Sequence, residues 1–422
     1  MANTSLVKTA RSPAAIDRAT PARLWGWCAF IVLVGVAARV LWFVQFEHEL
    51  PFAVDTTQSG HGWAGAQDAF FGDFAASSYD LTRAFAPGYG AFMRALSEIA
   101  GGATATAHAF ALNLLVVQTG LIALTTLISF ALARRVLFGF AALVPPALIT
   151  LSIGLIELAG GLAPQIPLMF LVALAIWQIT ILRERLPEQS GPKIVLLTIS
   201  AGFTLGAAIL FNPAVLLLVP LLLWWAFRGL GTDHAILLLV AVLLLPATWL
   251  AIVQTQTTEG IPTAQAEAWV QQDAGNLPSS LEMVGDRAYA IGTPWNARFA
   301  RGTYSSSNWN YEWILPVSVR SDSSYQAVTR GLIAFFMVLF VAMILLGVLA
   351  LFAEGAGSAA RLLALPVIAL PFATFLSADG NTLRIPMLPF LMIALTLGWI
   401  WLSENLRPYI QERRAPKAVE WT

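Results

Sequence analysis

The chain has 422 residues, of which 58% are hydrophobic and only 11% charged, with 24 basic and 24 acidic residues cancelling to zero net charge. A soluble domain is nearer 45–50% apolar and about 25% charged, so the composition excludes a soluble enzyme, a disordered chain and a nucleic-acid-binding protein. Cys28 is the only cysteine, which excludes an intramolecular disulfide and a cysteine-based metal cluster.

In chain order, residues 1–23 form a polar tail carrying Lys8, Arg11, Arg18 and Arg23, with Asp17 among them. Its length and polarity do not fit a cleaved signal peptide. An apolar run over 24–46 predicts a first transmembrane helix. Further spans are expected near 105–131, 137–161, 163–182, 193–212, 213–227, 234–254, 331–352, 361–377 and 385–403. The expected fold is an all-α polytopic membrane protein with about ten transmembrane helices and two long extracytoplasmic loops. Pro145-Pro146 predicts a kink or break within one span, and two spans abut at Asn212-Pro213.

The basic residues of the short loops and tails, including Arg134, Arg135, Arg183, Arg185, Arg228, Arg361, Arg413 and Arg414, predict that both termini are cytoplasmic. The parts are then a cytoplasmic tail over 1–23, a membrane bundle over 24–254 that includes an outer loop at 47–102, an aromatic-rich outer loop over 255–329, C-terminal membrane helices over 330–403, and a cytoplasmic tail over 404–422. Long loops carry function disproportionately, which puts the expected working face outside.

Three constellations could carry chemistry. In the first, Arg39 near the outer end of the first span precedes Asp55, Gly60-His61-Gly62-Trp63, Ala66, Phe70-Phe71-Gly72 and Ala86-Pro87-Gly88-Tyr89. Asp55 is open to two readings: a solvated loop acid, or a carboxylate that takes a proton from a hydroxyl nucleophile or holds a divalent cation. His61 could join such a site. In the second, Arg384 stands at the outer mouth of a span, ahead of Pro386, Pro389 and Phe390. It either snorkels to lipid headgroups or grips a phosphate with its planar fork. The third is the large loop, with Trp269, Tyr289, Trp295, Tyr304, Trp309, Tyr311 and Trp313. These rings form an interfacial belt or a sugar-binding surface. Glu157 lies within or at the outer end of a span, as a buried functional acid or a helix-end residue. No Walker loop, HExxH, G-x-S-x-G or CxxC motif occurs.

In order and placement these features resemble the GT-C superfamily of integral-membrane glycosyltransferases, which includes protein O-mannosyltransferase-like enzymes and the aminoarabinose transferase of lipid A. The resemblance lies in Arg39 followed by Asp55, the series Trp63, Ala66 and Gly72, the return at Pro87-Gly88-Tyr89, and the segment Arg384, Pro386, Pro389 and Phe390. Leu205-Gly206-Ala207-Ala208-Ile209-Leu210, ending in Phe211-Asn212-Pro213, resembles another shared span. Asn212 stands where bacterial relatives often carry a basic residue, and Asp55 is followed by Thr56 where relatives often have an Asp-Glu pair.

The resemblance implies transfer of a sugar from a polyprenyl-phosphate donor to an acceptor hydroxyl at the outer face. Asp55 would be the catalytic base. Arg384, with Arg39, Arg83 or Arg298, would hold the donor phosphate. His61, Trp295, Trp309 and Tyr311 would line the sugar or acceptor site, and a divalent cation is the cofactor such a site would take. The partners implied are a polyprenyl-phosphate sugar lipid, membrane lipid, and a glycan, lipid or protein acceptor, in a bacterial cytoplasmic membrane. Two alternatives compete. One is an O-antigen polymerase or ligase leaning on Arg287, Arg298 and Arg301; the other is a transporter or assembly subunit without catalysis.

Overall fold

The computed structural model describes residues 21–46, 87–101, 107–159, 165–186, 191–256, 323–352, 358–376 and 384–414. The described residues are entirely helical apart from short turns. The helices are α1 (Pro21–Phe46), α2 (Pro87–Ala100), α3 (Ala107–Ala133), α4 (Val144–Thr150), α5 (Ile153–Leu158), α6 (Gln165–Arg185), α7 (Pro192–Phe211), α8 (Leu218–Gly229), α9 (Thr232–Gln256), α10 (Ser323–Phe352), α11 (Ser358–Leu376) and α12 (Arg384–Arg414). Single 3-10 stretches at Gly139–Leu143 and Pro213–Leu217 lead into α4 and α8.

Among the described residues, six helices are long and apolar enough to cross a membrane: α1, α3, α6, α7, α9 and α12. Shorter apolar stretches at Gly139–Thr150, Pro213–Gly229, Val338–Phe352 and Ala360–Leu370 complete the set expected from hydropathy. The chain is therefore an integral membrane protein of many spans. Spans α6 and α12 form the centre, each 67% buried, whereas α1 and α9 are 22% buried and present most of their apolar surface outward. In a membrane that outward surface faces lipid tails as apolar as the side chains themselves.

Close helix contacts depend on missing side chains. Helices α7 and α9 run parallel, with Gly202 against Leu238 and Ala241, and Gly206 against Val242. Antiparallel α10 and α12 meet at Gly347 on Ala394 and at Gly398 on Met343, where any Cβ would run into a backbone carbonyl. Small residues let backbones approach this closely and exchange dispersion and Cα–H···O contacts, the main attraction left between helices in lipid. Several threonine hydroxyls inside the spans are satisfied within their own helices. Thr125, Thr126, Thr180, Thr198 and Thr396 each donate to the carbonyl four residues earlier, at 2.7–2.9 Å.

The two expected breaks are present. Pro145 and Pro146 fall in the first turn of α4, where missing N–H groups cost nothing, and the span breaks again at Leu151-Ser152 before α5. Asn212 is extended (φ −154°, ψ 112°) and separates α7 from the 3-10 turn leading to α8.

One end of the bundle is basic. Arg135 pairs with Glu184 through both guanidinium arms, at 2.6 and 2.9 Å. Arg183 donates to the Gly229 carbonyl at the end of α8. Arg228 covers the Trp224 ring at 4.6 Å, and Arg134 lies 5.8 Å from the Phe130 ring centroid. The opposite end is where α1 finishes and α3 and α6 begin.

One difference from the sequence expectation lies in the segment read as the first outer loop. Residues 87–100 form the amphipathic helix α2, which packs on α3 and α7. Tyr89, Phe92, Met93 and Leu96 turn inward while Ala91, Ala95, Glu98 and Ile99 stay exposed. That is a helical stripe of three- and four-residue steps.

Candidate functional site

The loop end of the bundle brings two of the sequence motifs into contact. The Pro87-Gly88-Tyr89 return opens α2 and rests against the last turn of α7, just before the Asn212 break. A Cβ on Gly88 would lie 2.6 Å from Phe211 Cδ2 and 2.9 Å from the Leu210 carbonyl carbon, so only glycine fits. Phe92 bridges the contact, its ring centroid 6.2 Å from both Tyr89 and Phe211. The Tyr89 hydroxyl is buried without a hydrogen-bond partner, and burial pushes its pKa well above the ordinary phenol range. It is a neutral donor facing protein interior.

Asn212, the position that departs from a basic residue, has a local structural use. Its Oδ1 accepts from the Ala214 N–H at 3.0 Å, capping the turn that starts with Pro213.

Arg39 is the one charged side chain among the described residues that is fully buried, at 2% exposure. It stands seven residues, about 10 Å of helix rise, below Phe46. Its guanidinium folds back toward the middle of α1 and donates from Nη1 to the Gly35 carbonyl at 2.8 Å. Long helical side chains lean toward the N-terminus in this way. Gly35 makes the space: a Cβ there would meet Thr150 of α4 and lie 2.9 Å from Arg39 Nη1. Beneath lies a hydroxyl chain. Thr126 donates to Ile122 O at 2.8 Å, so Thr150 donates to Thr126 across 3.2 Å. Arg39 Nε and Nη2 remain buried without partners.

Arg384 is the first residue of α12, whose following turns, Ile385 through Ala394, are buried. Pro386 and Pro389 fall in or next to the first turn, consistent with a helix start. Helices α1 and α12 flank α3 and α4, and both pack against them. Arg39 and Arg384 are thus carried by two helices that pack on the same pair. Glu157 lies on α5, which packs on α1.

Asp55, His61, Arg83, Trp295, Arg298, Trp309 and Tyr311 fall outside the described residues, and so does the expected cation position beside Asp55. Among the described residues, no three His, Cys, Asp or Glu side chains gather as a metal site. Sequence reasoning missed the polar seam between α1, α3 and α4. Its signal was present as Thr126, Ser129, Thr150 and Ser152, hydroxyls inside apolar spans, all of them buried.

No protein-family model and no curated protein sequence matches the chain. Its fold is similar to solved structures of an oligosaccharyltransferase from Archaeoglobus fulgidus. The apo crystal structure of that enzyme aligns with a TM-score of 0.53 at 14% identity, covering 92% of this chain and 52% of that one. A structure of the same archaeal enzyme, AglB, in complex with an inhibitory peptide and a dolichol-phosphate gives a TM-score of 0.46 at 12% identity, over 93% of this chain and 52% of that one. The chain spans about half the length of the structures it matches. What is shared at such identity is the fold alone, an all-helical polytopic membrane fold.

Proposed function

We propose that this protein is a glycosyltransferase that moves a sugar from a polyprenyl-phosphate donor to an acceptor hydroxyl at the extracytoplasmic face of a bacterial cytoplasmic membrane. The observation that carries this reading is the fold shared, over 92% of the chain, with an oligosaccharyltransferase. Topology supplies the physical reason for a lipid donor. Nucleotide sugars are cytoplasmic, so an enzyme working outside needs its sugar delivered on a membrane carrier. A carrier phosphate also leaves as a stable anion.

In the proposed reaction the acceptor oxygen attacks the anomeric carbon as the bond from that carbon to the phosphate oxygen breaks. The electron pair of that bond leaves with the phosphate. The Asp55 carboxylate takes the acceptor's proton. Arg384, with Arg39, Arg83 or Arg298, offsets the charge growing on the departing phosphate. His61, Trp295, Trp309 and Tyr311 offer ring faces and polar edges to the sugar or the acceptor. A divalent cation, if used, would be held at Asp55 and would act by polarising the phosphate.

The test is transfer from a labelled polyprenyl-phosphate sugar in membranes, with insertion of each variant verified. Asp55→Asn is expected to lower turnover by about a hundredfold or more, the usual contribution of a positioned base. Unchanged turnover removes Asp55 from the reaction. Loss in Arg298→Ala with Asp55→Asn unaffected would favour the polymerase or ligase mechanism instead.

A further inference from the structure

We propose that the junction of α1 with the end of α3 is a binding surface for the headgroups of anionic phospholipids. Arg23 and Arg134 are its cations, and Phe138 and Phe140 are its membrane-inserted rings. It belongs to the basic end of the bundle and does not depend on the transfer reaction proposed above.

Height in the membrane comes first. The apolar span of α1 starts at Ala22 and that of α3 stops at Ala133. The rings of Trp25 and Phe130 join the two helices there, edge to face with centroids 4.7 Å apart. Arg23 and Arg134 therefore stand at the same membrane surface, at the level of the headgroups, and both are exposed. Their partners are rings: Arg134 lies 5.8 Å from the Phe130 centroid and Arg23 lies 6.0 Å from that of Phe140. A ring orients a guanidinium, but it carries no net charge and is worth little at an exposed site. Among the described residues neither arginine has a carboxylate partner. Their neighbours differ: Arg135 is paired with Glu184, and Arg183 donates to the Gly229 carbonyl.

The turn that follows α3 supplies the apolar half. Leu137 and Gly139 face the bundle, while Phe138 and Phe140 between and beyond them are 62% and 51% exposed. Gly139, at φ 55°, holds this path in the left-handed region. Two large rings turned outward beside two unpaired cations do not suit a dissolved anion, which would leave the rings in water. They suit a phospholipid, whose phosphate oxygens accept from the guanidinium edges while the rings sit among its glycerol and acyl groups. Phosphatidylcholine cancels its own phosphate with a cation, so the surface selects headgroups with net negative charge. Helix α1 is only 22% buried, and headgroup contacts at its start add to that small protein interface.

The experiment uses the full-length protein in phosphatidylcholine nanodiscs with and without phosphatidylglycerol, read by the lipids retained in native mass spectrometry and by thermal unfolding. The wild type is expected to retain phosphatidylglycerol above its bulk share and to melt higher in its presence. Arg23→Gln and Arg134→Gln should each lower that enrichment about fivefold, the scale of one cation at an anionic membrane surface. The double substitution should remove both the enrichment and the thermal shift. Arg185 and Lys193 are equally exposed at the same end with no ring beside them. Arg185→Gln and Lys193→Gln should therefore leave the enrichment near that of the wild type. Where loss of an arginine disturbs insertion, Phe138→Ser with Phe140→Ser keeps every charge, removes the rings and should also lower retention. Lipid retained in its bulk ratio by the wild type overturns the proposal, as does undiminished enrichment in the double arginine or the double phenylalanine variant. An equal loss in Lys193→Gln also overturns it, because the attraction then belongs to the whole basic end.

Discussion

Gly88 and Phe211 touch so closely that no side chain fits between them: a Cβ on Gly88 would stand 2.6 Å from the Phe211 ring and 2.9 Å from the backbone of Leu210. The contact joins the start of α2 to the break that closes α7. Gly88→Val is therefore expected to displace α2 and to destabilise the protein by about 1–3 kcal/mol, as overpacking does. Thermal unfolding in detergent checks the stability. A loss of sugar transfer in folded Gly88→Ala would show that α2 docking also orders the working face.

The glycines divide into two groups with opposite expectations. Gly347 and Gly398 sit where a Cβ would run into a backbone carbonyl of the neighbouring helix. Replacing either with leucine should separate α10 from α12 and abolish a cooperative melt. Gly120 and Gly26 have nothing within 4 Å of a built Cβ. Alanine there should be neutral or stabilise by up to about 1 kcal/mol, the helix-propensity difference.

Cys28 is buried at 0% exposure and free. Its thiol should resist a thiol-reactive fluorophore in the folded protein and react on unfolding. The labelling curve should then coincide with the melt seen by other probes. Rapid labelling of the native protein would contradict the packing of α1 on its neighbours.

With Cys28 replaced by serine, single cysteines report orientation. Thr104→Cys is expected to label from outside intact cells, and Ser190→Cys only after permeabilisation. The reverse pattern would invert the orientation read from the basic residues.

Arg135 and Glu184 form a bidentate pair with side-chain exposures of 20% and 45%. Screening limits such a pair, so Arg135→Ala should cost about 1 kcal/mol or less, with a deficit that shrinks in high salt. A double-mutant cycle with Glu184→Ala gives the coupling directly.

Hydropathy made the spans legible, because about 20 apolar residues in a row have few other uses. The breaks at Pro145-Pro146 and Asn212-Pro213 were legible for a local reason, the fixed geometry and missing donor of proline. Helix α2 was readable in principle from the spacing of Tyr89, Phe92, Met93 and Leu96, but at 14 residues it is too short to span a membrane and adjoins the polar stretch that begins at Glu47. The inward fold of Arg39 was not readable. An arginine near a membrane helix end can snorkel outward or lean back toward the N-terminus, and the space over Gly35 beside Thr150 admits the second. The pairings of Gly202 with Ala241 and Gly347 with Ala394 were equally hidden, since a glycine does not announce which distant backbone it admits. For the candidate site, the sequence supplied Arg39, the Pro87-Gly88-Tyr89 return and the Phe211-Asn212-Pro213 break. The return and the break meet because α2 packs on α7, whereas Arg39 sits apart, beside Gly35 and Thr150.

The contacts at the basic end bear on how the bundle is made. Arg135, just past the end of α3, is joined to Glu184 of α6, 49 residues later in the chain. Arg183 of α6 is joined in turn to the Gly229 carbonyl, 46 residues further on. A ribosome delivers these partners in order, so each clasp can fasten only when a later hairpin has been inserted. The charges that orient the chain during insertion would then serve a second time, as fasteners recording that the preceding hairpins have arrived in sequence.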